Sequence, residues 1–320
     1  MRAAIATLAL VTAAAGIVAA VAQEPVKDAE RAPFNLSSIA RITPSILVAK
    51  LVYAREGPMP IRLQLKNPSR VPVDLPKSCL TTAPFRLERL ADHTVLRPKG
   101  KMPKSGALTV APMTQYDIEL DLRKLYGSMK DPGRYRVMWR CEQWESPAYD
   151  FVIAPTYDRE KDRVAVVATD LGTMELVLMP EQAPEHVRMF VALARAGYYE
   201  GVLFYKIIPG VQADTGDPGG DGAGGWEYQM QPEIDEKIFP GKGLVGAVRR
   251  ETSMTSANSF FFLLQVMPTY AGKHTFFAYV RKGLEVLDAL SAVDIAGTEG
   301  LGAFHPTKPV RILKIEIKEG

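Results

Sequence analysis

The chain has 320 residues, a formal net charge of +3, 47% hydrophobic and 23% charged residues. That length favours two domains and that composition buries a sizeable core, which excludes a disordered or fibrous chain. A charge of +3 is too small to argue for nucleic acid or an anionic membrane surface as partner.

Met1-Arg2 followed by the apolar run Ala3 to Val21 reads as a targeting segment. Ala20-Val21-Ala22 fits small-residue cleavage, so residues 1–22 are expected to be a signal peptide and 23–34 a flexible leader. A retained anchor is the alternative. Cleavage predicts an exported protein, periplasmic or extracellular, with no stable membrane insertion afterwards.

Residues 35–154 carry an all-β pattern. Ser45 to Tyr53 is strand-like, Ile61 to Leu65 alternates, and Asn67-Pro68 ends it. Gln115 to Leu122 alternates again, and Pro132-Gly133 turns into Tyr135 to Trp139. Short strands between Pro, Gly and Asn signals predict an antiparallel β-sandwich, loosely similar to immunoglobulin-like domains. The two cysteines, Cys79 and Cys141, both fall in this segment. They are disulfide candidates in an oxidising compartment, with free buried thiols as the alternative. With no further Cys and no His cluster nearby, no metal site is expected.

Residues 155–162 are short, polar and charged, as a linker is. A second domain is expected over 163–320. Arg163 to Thr169 and Thr173 to Met179 read as strands joined by a hairpin at Asp170-Leu171-Gly172. Val187, Phe190, Val191 and Ala194 stand at helical spacing within Ala183 to Ala196, and Gly197 stops that helix. Strands follow at Leu203–Ile208, Gly243–Val248, Phe260–Leu264 and Thr275–Val280. A helix over Leu284–Ala292 and a strand over Val310–Ile317 complete the pattern. Many strands with two helices suit a closed β-barrel capped at its ends.

The densest stretch runs from Leu203 to Gly225. An apolar strand containing Tyr205 and Lys206 is halted by Pro209-Gly210, and a loop with six glycines follows. Glycine at that density permits left-handed and tightly turned backbone. Neither phosphate-binding fingerprint fits, because no Gly-Lys-Ser/Thr ending and no immediate amphipathic helix is present.

Phe204-Tyr205-Lys206-Ile207-Ile208-Pro209-Gly210, Gly216-Asp217-Pro218 and Gly222-Ala223-Gly224-Gly225 together resemble the signature of cyclophilin-type peptidyl-prolyl isomerases. Ala183-Pro184-Glu185, Phe190 and Gly197-Tyr198-Tyr199 precede it in that family's order. Asn258 to Phe262, Gly272-Lys273-His274 and Gly283 to Leu287 follow it. The likeness covers about half the chain and implies a cyclophilin-like closed barrel.

The resemblance also implies a reaction needing no cofactor and no metal, on proline-containing segments of client proteins. It places the catalytic donor at Lys206, where the family has arginine. The family's glutamine position holds Asp214, which is expected to pair with Lys206 or damp its field. Tyr205 stands before the donor. Val211 and Gln212 occupy pocket positions, as do Phe261, Tyr270 and His274. Ser259, Val248 and Arg249 occupy positions that meet substrate. The expected function is therefore an exported isomerase assisting protein folding. Two alternatives stand beside it: a peptide-binding module of weak or no activity, and an adhesion or inhibitor role of the N-terminal domain.

Overall fold

In the computed structural model the described residues are 41–102, 106–127, 129–222, 228–249, 253–300 and 302–320. The expected signal peptide and leader, and Ala223-Gly224-Gly225 of the glycine loop, lie outside them.

The N-terminal region is β-rich. Strand β1 (Thr43–Val48) pairs antiparallel with β3 (Pro60–Lys66), and β3 pairs with β8 (Gln115–Asp121). The expected single strand Ser45 to Tyr53 is in fact two, because β2 (Val52–Tyr53) leaves for the other sheet, where it runs parallel to β11 (Tyr149–Ile153). That sheet continues through β9 (Gly133–Cys141), β5 (Phe85–Arg89) and β6 (Thr94–Leu96), and β10 (Trp144–Glu145) pairs with β9. A short ladder joins β4 (Val73–Leu75) to β7 (Leu108–Val110). A single turn of helix, α1 (Leu122–Tyr126), follows β8 and is capped by the Asp121 carboxylate on the Arg123 N–H.

Alternation along these strands sends Ile61, Leu63 and Leu65 inward to meet Val137, Trp139 and Phe151 in one core. The Cys79–Cys141 disulfide is formed and closes the edge of this core. Buried Asn67 accounts for the turn after β3. Its amide donates to the carbonyls of Val71 and Val110, and its oxygen accepts from Ser69.

The C-terminal region is one large sheet with two helices. In chain order its strands are β12 (Asp162–Thr169), β13 (Gly172–Leu178), β14 (Lys206–Ile208), β15 (Gln212–Thr215), β16 (Gln229–Met230), β17 (Leu244–Arg249), β18 (Thr255–Leu263), β19 (Phe276–Lys282) and β20 (Ile312–Glu319). The spatial order is β14-β15-β18-β17-β19-β13-β12-β20, with β16 on β18. Helix α2 (Pro184–Arg195) begins on a proline at its first turn and buries Val187, Phe190, Val191 and Ala194. Helix α3 (Leu284–Ser291) buries Val286, Leu287 and Leu290.

The closed barrel is corrected to an open one. Its end strands β14 and β20 form no ladder with each other. They are spanned by an isolated bridge, Leu203 to Arg311, and by Phe204 N–H donating to Val310 O. The reason is local. Strand β14 begins only at Lys206, so Leu203 to Tyr205 of the six residues expected stay outside it, and Pro306 and Pro309 remove donors before β20.

Strand β18 organises the interior. All nine of its residues are buried. Phe260 and Phe262 point into the core with Phe190, Tyr199 and Phe277, where ring centroids lie 5.3 to 6.1 Å apart. Phe261 and Leu263 point to the opposite face with Phe276. The period of two along a strand divides one phenylalanine run between a core and a groove.

Ala40 to Gly320 forms one compact unit. Leu51 and Val152 of the N-terminal region belong to the C-terminal core. Arg195 at the end of α2 donates to Asp162 at 2.8 Å and also to the carbonyl of Thr156, tying the connecting segment to the helix.

Candidate active site

A groove of about 250 Å³ opens on the Phe261 face of the sheet. Eight of the residues singled out from sequence line it: Tyr205, Lys206, Gln212, Asp214, Val248, Arg249, Phe261 and His274. Lys206 and Phe261, 55 positions apart, meet because β14, β15, β18 and β17 are consecutive in the sheet.

The ring wall is built on Phe261, 1% exposed. Tyr270, on the short turn Pro268–Tyr270, stacks on His274 with centroids 4.5 Å apart and planes 27° apart. Both rings meet Phe261 edge-on, at 6.0 and 5.4 Å. Tyr270 thus completes the wall from behind His274. Burial, with the charges of Arg249 and Lys273, pushes the His274 pKa down to about 4. The ring is therefore neutral and aromatic at neutral pH. Its buried Nδ1 has no hydrogen-bond partner among the described residues.

Lys206 opens β14 and is half-buried. Asp214 is its cross-strand partner in the β14–β15 register. The expected ion pair is not formed. Asp214 instead accepts from Gln212 Nε2 at 2.6 Å, and Gln212 Oε1 accepts from the Tyr270 hydroxyl. Gln212 and Asp214, i and i+2, share one face of β15, which sets the amide beside the carboxylate. Burial raises the Asp214 pKa to about 6, opposed by Gln212 and by the charge of Lys206. Burial, and then Asp214, raise the Tyr270 pKa. Among the described residues the Lys206 ammonium has neither a hydrogen bond nor an ion pair, so it is left for the groove.

Two expected site residues are placed elsewhere. Val211 sits in the turn between β14 and β15, donating its N–H to Ile208 O, and does not line the groove. Ser259 shares the Phe261 face of β18 but is sealed beneath Gly216, whose lack of a side chain lets the two backbones touch. Its Oγ has no partner among the described residues.

The structure adds Asp221, Gly222 and His305 to the lining. The first two belong to the glycine loop. A Cβ at Gly222 would stand 2.8 Å from the Tyr205 ring, and φ there is +71°, so glycine is required. Asp217 pins the loop by accepting from the N–H groups of Gly219 and Gly222. His305 comes from the loop after α3 and carried no sequence signal. Asn258 supports the floor, donating to Tyr198 Oη and Gly216 O, each at 3.1 Å.

Residues 164–317 match the family model described as cyclophilin type peptidyl-prolyl cis-trans isomerase/CLD. A relative from Aspergillus fumigatus, "Peptidyl-prolyl cis-trans isomerase-like 1", is 32% identical over 158 residues, which are 48% of this chain and 94% of that protein. The chain belongs to the cyclophilin-type isomerase family.

A second relative, "Peptidyl-prolyl cis-trans isomerase-like 2" of Cryptococcus neoformans, is 34% identical over 176 residues, 52% of this chain. The chain spans only 30% of that protein's length. It likewise spans 27% of a mouse protein named for an isomerase domain and WD repeats. A solved cyclophilin from Cryptosporidium parvum is 24% identical, with TM-score 0.46, over 49% of this chain and 98% of that one.

These relatives overturn one expectation. They are isomerase-like and WD-repeat-containing proteins of fungi and mammals, with the isomerase named CWC27 of Cryptococcus neoformans among them. That set is at odds with a periplasmic or extracellular protein, and the export reading is withdrawn. The cyclophilin match leaves the N-terminal region out, so its immunoglobulin likeness rests on strand pattern alone.

Proposed function

We propose that this cyclophilin groove catalyses cis–trans isomerisation of Xaa-Pro bonds in polypeptide clients and so assists their folding. The twisted amide lies about 18–20 kcal/mol above the planar one, and the chemistry asks only for a grip on the ring and a donor aimed at the twisted state. No nucleophile and no cofactor takes part.

One observation carries the reading. The rings of Phe261, Tyr270 and His274 meet beside a half-buried Lys206 that has no ion-pair partner among the described residues. The rings take the proline. The Lys206 ammonium donates one charge-assisted hydrogen bond to the amide as its nitrogen loses resonance and becomes an acceptor. Val248 and Arg249 run along the groove beside the peptide backbone.

A second reading has its own support. Lysine lacks the planar fork of arginine and donates at one point only. With Asp214 near it, the groove then holds a proline-containing peptide without accelerating its isomerisation. A protease-coupled isomerisation assay on a short Xaa-Pro peptide separates the two. Acceleration over the uncatalysed rate, together with faster refolding of a protein limited by prolyl isomerisation, is expected. Peptide binding with no acceleration establishes the binding module instead.

A further inference from the structure

The Gln212 amide is held at both ends. Its Nε2 donates to the Asp214 carboxylate and its Oε1 accepts from the Tyr270 hydroxyl. Tyr270 in turn stacks on His274 and meets Phe261 edge-on. An unbroken series of contacts therefore runs from a buried acid on β15 to the ring wall of the groove. Asp214 is 4% exposed, so solvent screens its carboxylate little.

We propose that Asp214 is a positioning residue whose carboxylate, acting through Gln212 and the Tyr270 hydroxyl, sets the ring wall and makes the grip on proline depend on pH. This rests on the reading of the groove as the seat of the proline ring. Ionised, the carboxylate accepts strongly from Nε2 and orients the amide so that Oε1 faces Tyr270. Protonated, it accepts only as a neutral carbonyl, and its own O–H competes for the Gln212 oxygen. Tyr270 is then released from one side. A family member with glutamine in place of Asp214 has no such titrating group at this position.

The surroundings of Asp214 admit this behaviour. Across β14 it faces Lys206, which favours the ionised form. Across β18 it faces the apolar Phe261. The charged or titratable groups of the groove around it are Tyr205, Asp221, Arg249, His274, His305 and the adjoining Tyr270. Burial is the largest influence on its pKa, which stands near 6, and His274 stays neutral in that range.

The test is a titration of the full chain with an Ala-Ala-Pro-Phe peptide at pH 7.5 and 5.0, followed by NMR. Wild-type affinity is expected to fall about fivefold at the lower pH, the gap between a charge-assisted and a neutral hydrogen bond. Asp214→Asn keeps an acceptor that does not titrate and should bind alike at both values. Gln212→Leu cuts the series and should bind weakly at both. His305 also lines the groove, so His305→Gln is the control, and it should keep the wild-type dependence. The Gln212 side-chain amide resonance gives a readout free of any peptide, with a midpoint near pH 6 in the wild type and none in Asp214→Asn. A flat wild-type profile, a dependence that persists in Asp214→Asn, or an amide resonance without that midpoint overturns the proposal. Missing isomerase activity with pH-dependent binding intact overturns only the catalytic reading.

Discussion

Gly246 lies directly opposite Phe261 in the β17–β18 ladder, and a Cβ at Gly246 would stand 2.5 Å from the Phe261 ring. The floor of the groove therefore exists because one residue across the ladder has no side chain. Gly246→Ala should push the ring off its seat. Overpacking of this kind costs about 1–3 kcal/mol. Thermal unfolding should show a lowered Tm, and proline-peptide binding should weaken in the folded fraction. An alanine variant that binds normally would mean that Phe261 is not the floor.

Lys206 is expected to supply the donor. Lys206→Ala should lower kcat/KM by at least a power of ten, about 1.4 kcal/mol of transition-state stabilisation, with little change in peptide affinity. Lys206→Arg should raise activity, because the fork restores a second donor, unless buried Asp214 or Tyr205 blocks the longer side chain. Activity untouched by Lys206→Ala would place the donor elsewhere.

Two groove residues shift stability in opposite directions with pH. His274 has a folded pKa of about 4, below the ordinary value of about 6.5, so the unfolded chain binds more protons between them. Its share of stability is lost as pH falls from about 6.5 to 4. Asp214 has a folded pKa of about 6, above the ordinary value of about 3.9, so the folded chain binds more protons there. Its burial is a cost above pH 6 that is relieved on acidification. Tm measured from pH 7.5 to 4.5 should fall less steeply in His274→Gln and more steeply in Asp214→Asn. The same slope in all three proteins would deny both shifts.

Cys79 and Cys141 are bonded across 62 positions of the chain. Loss of the bond should cost about 2–4 kcal/mol, chiefly by freeing the unfolded state. Intact mass after alkylation without reductant should show no modified thiol. Two alkylated cysteines would remove the bond from the folded protein.

Arg195 fastens residues 156–162 to the end of α2. Arg195→Ala leaves buried Asp162 without its ion-pair partner and should expose 155–162 to protease. Rapid cutting there, releasing a folded fragment of 163–320, is the outcome expected of a domain boundary. Loss of both halves on cutting would show that the two cores fold only together.

Much of the C-terminal half was legible in the chain. Apolar runs between turn signals marked β12, β13, β17, β18 and β19, and helical spacing marked α2, because each packs apolar side chains into the interior. Glycines at Gly216 and Gly222 were legible for a different reason: backbone with φ near +94° and +71° excludes a side chain wherever the partners come from. The motif order singled out eight residues that line the groove. It could not show that Asp214 turns to Gln212 instead of Lys206, since that choice depends on where Tyr270 arrives from 58 positions away. It could not find His305, a lone histidine carried in by a loop, or the seam left open where Pro306 and Pro309 withhold donors. Periodicity reports which residues seek a core. Which polar groups meet, and which strand edges fail to close, is decided only when the sheet brings distant segments within hydrogen-bonding reach.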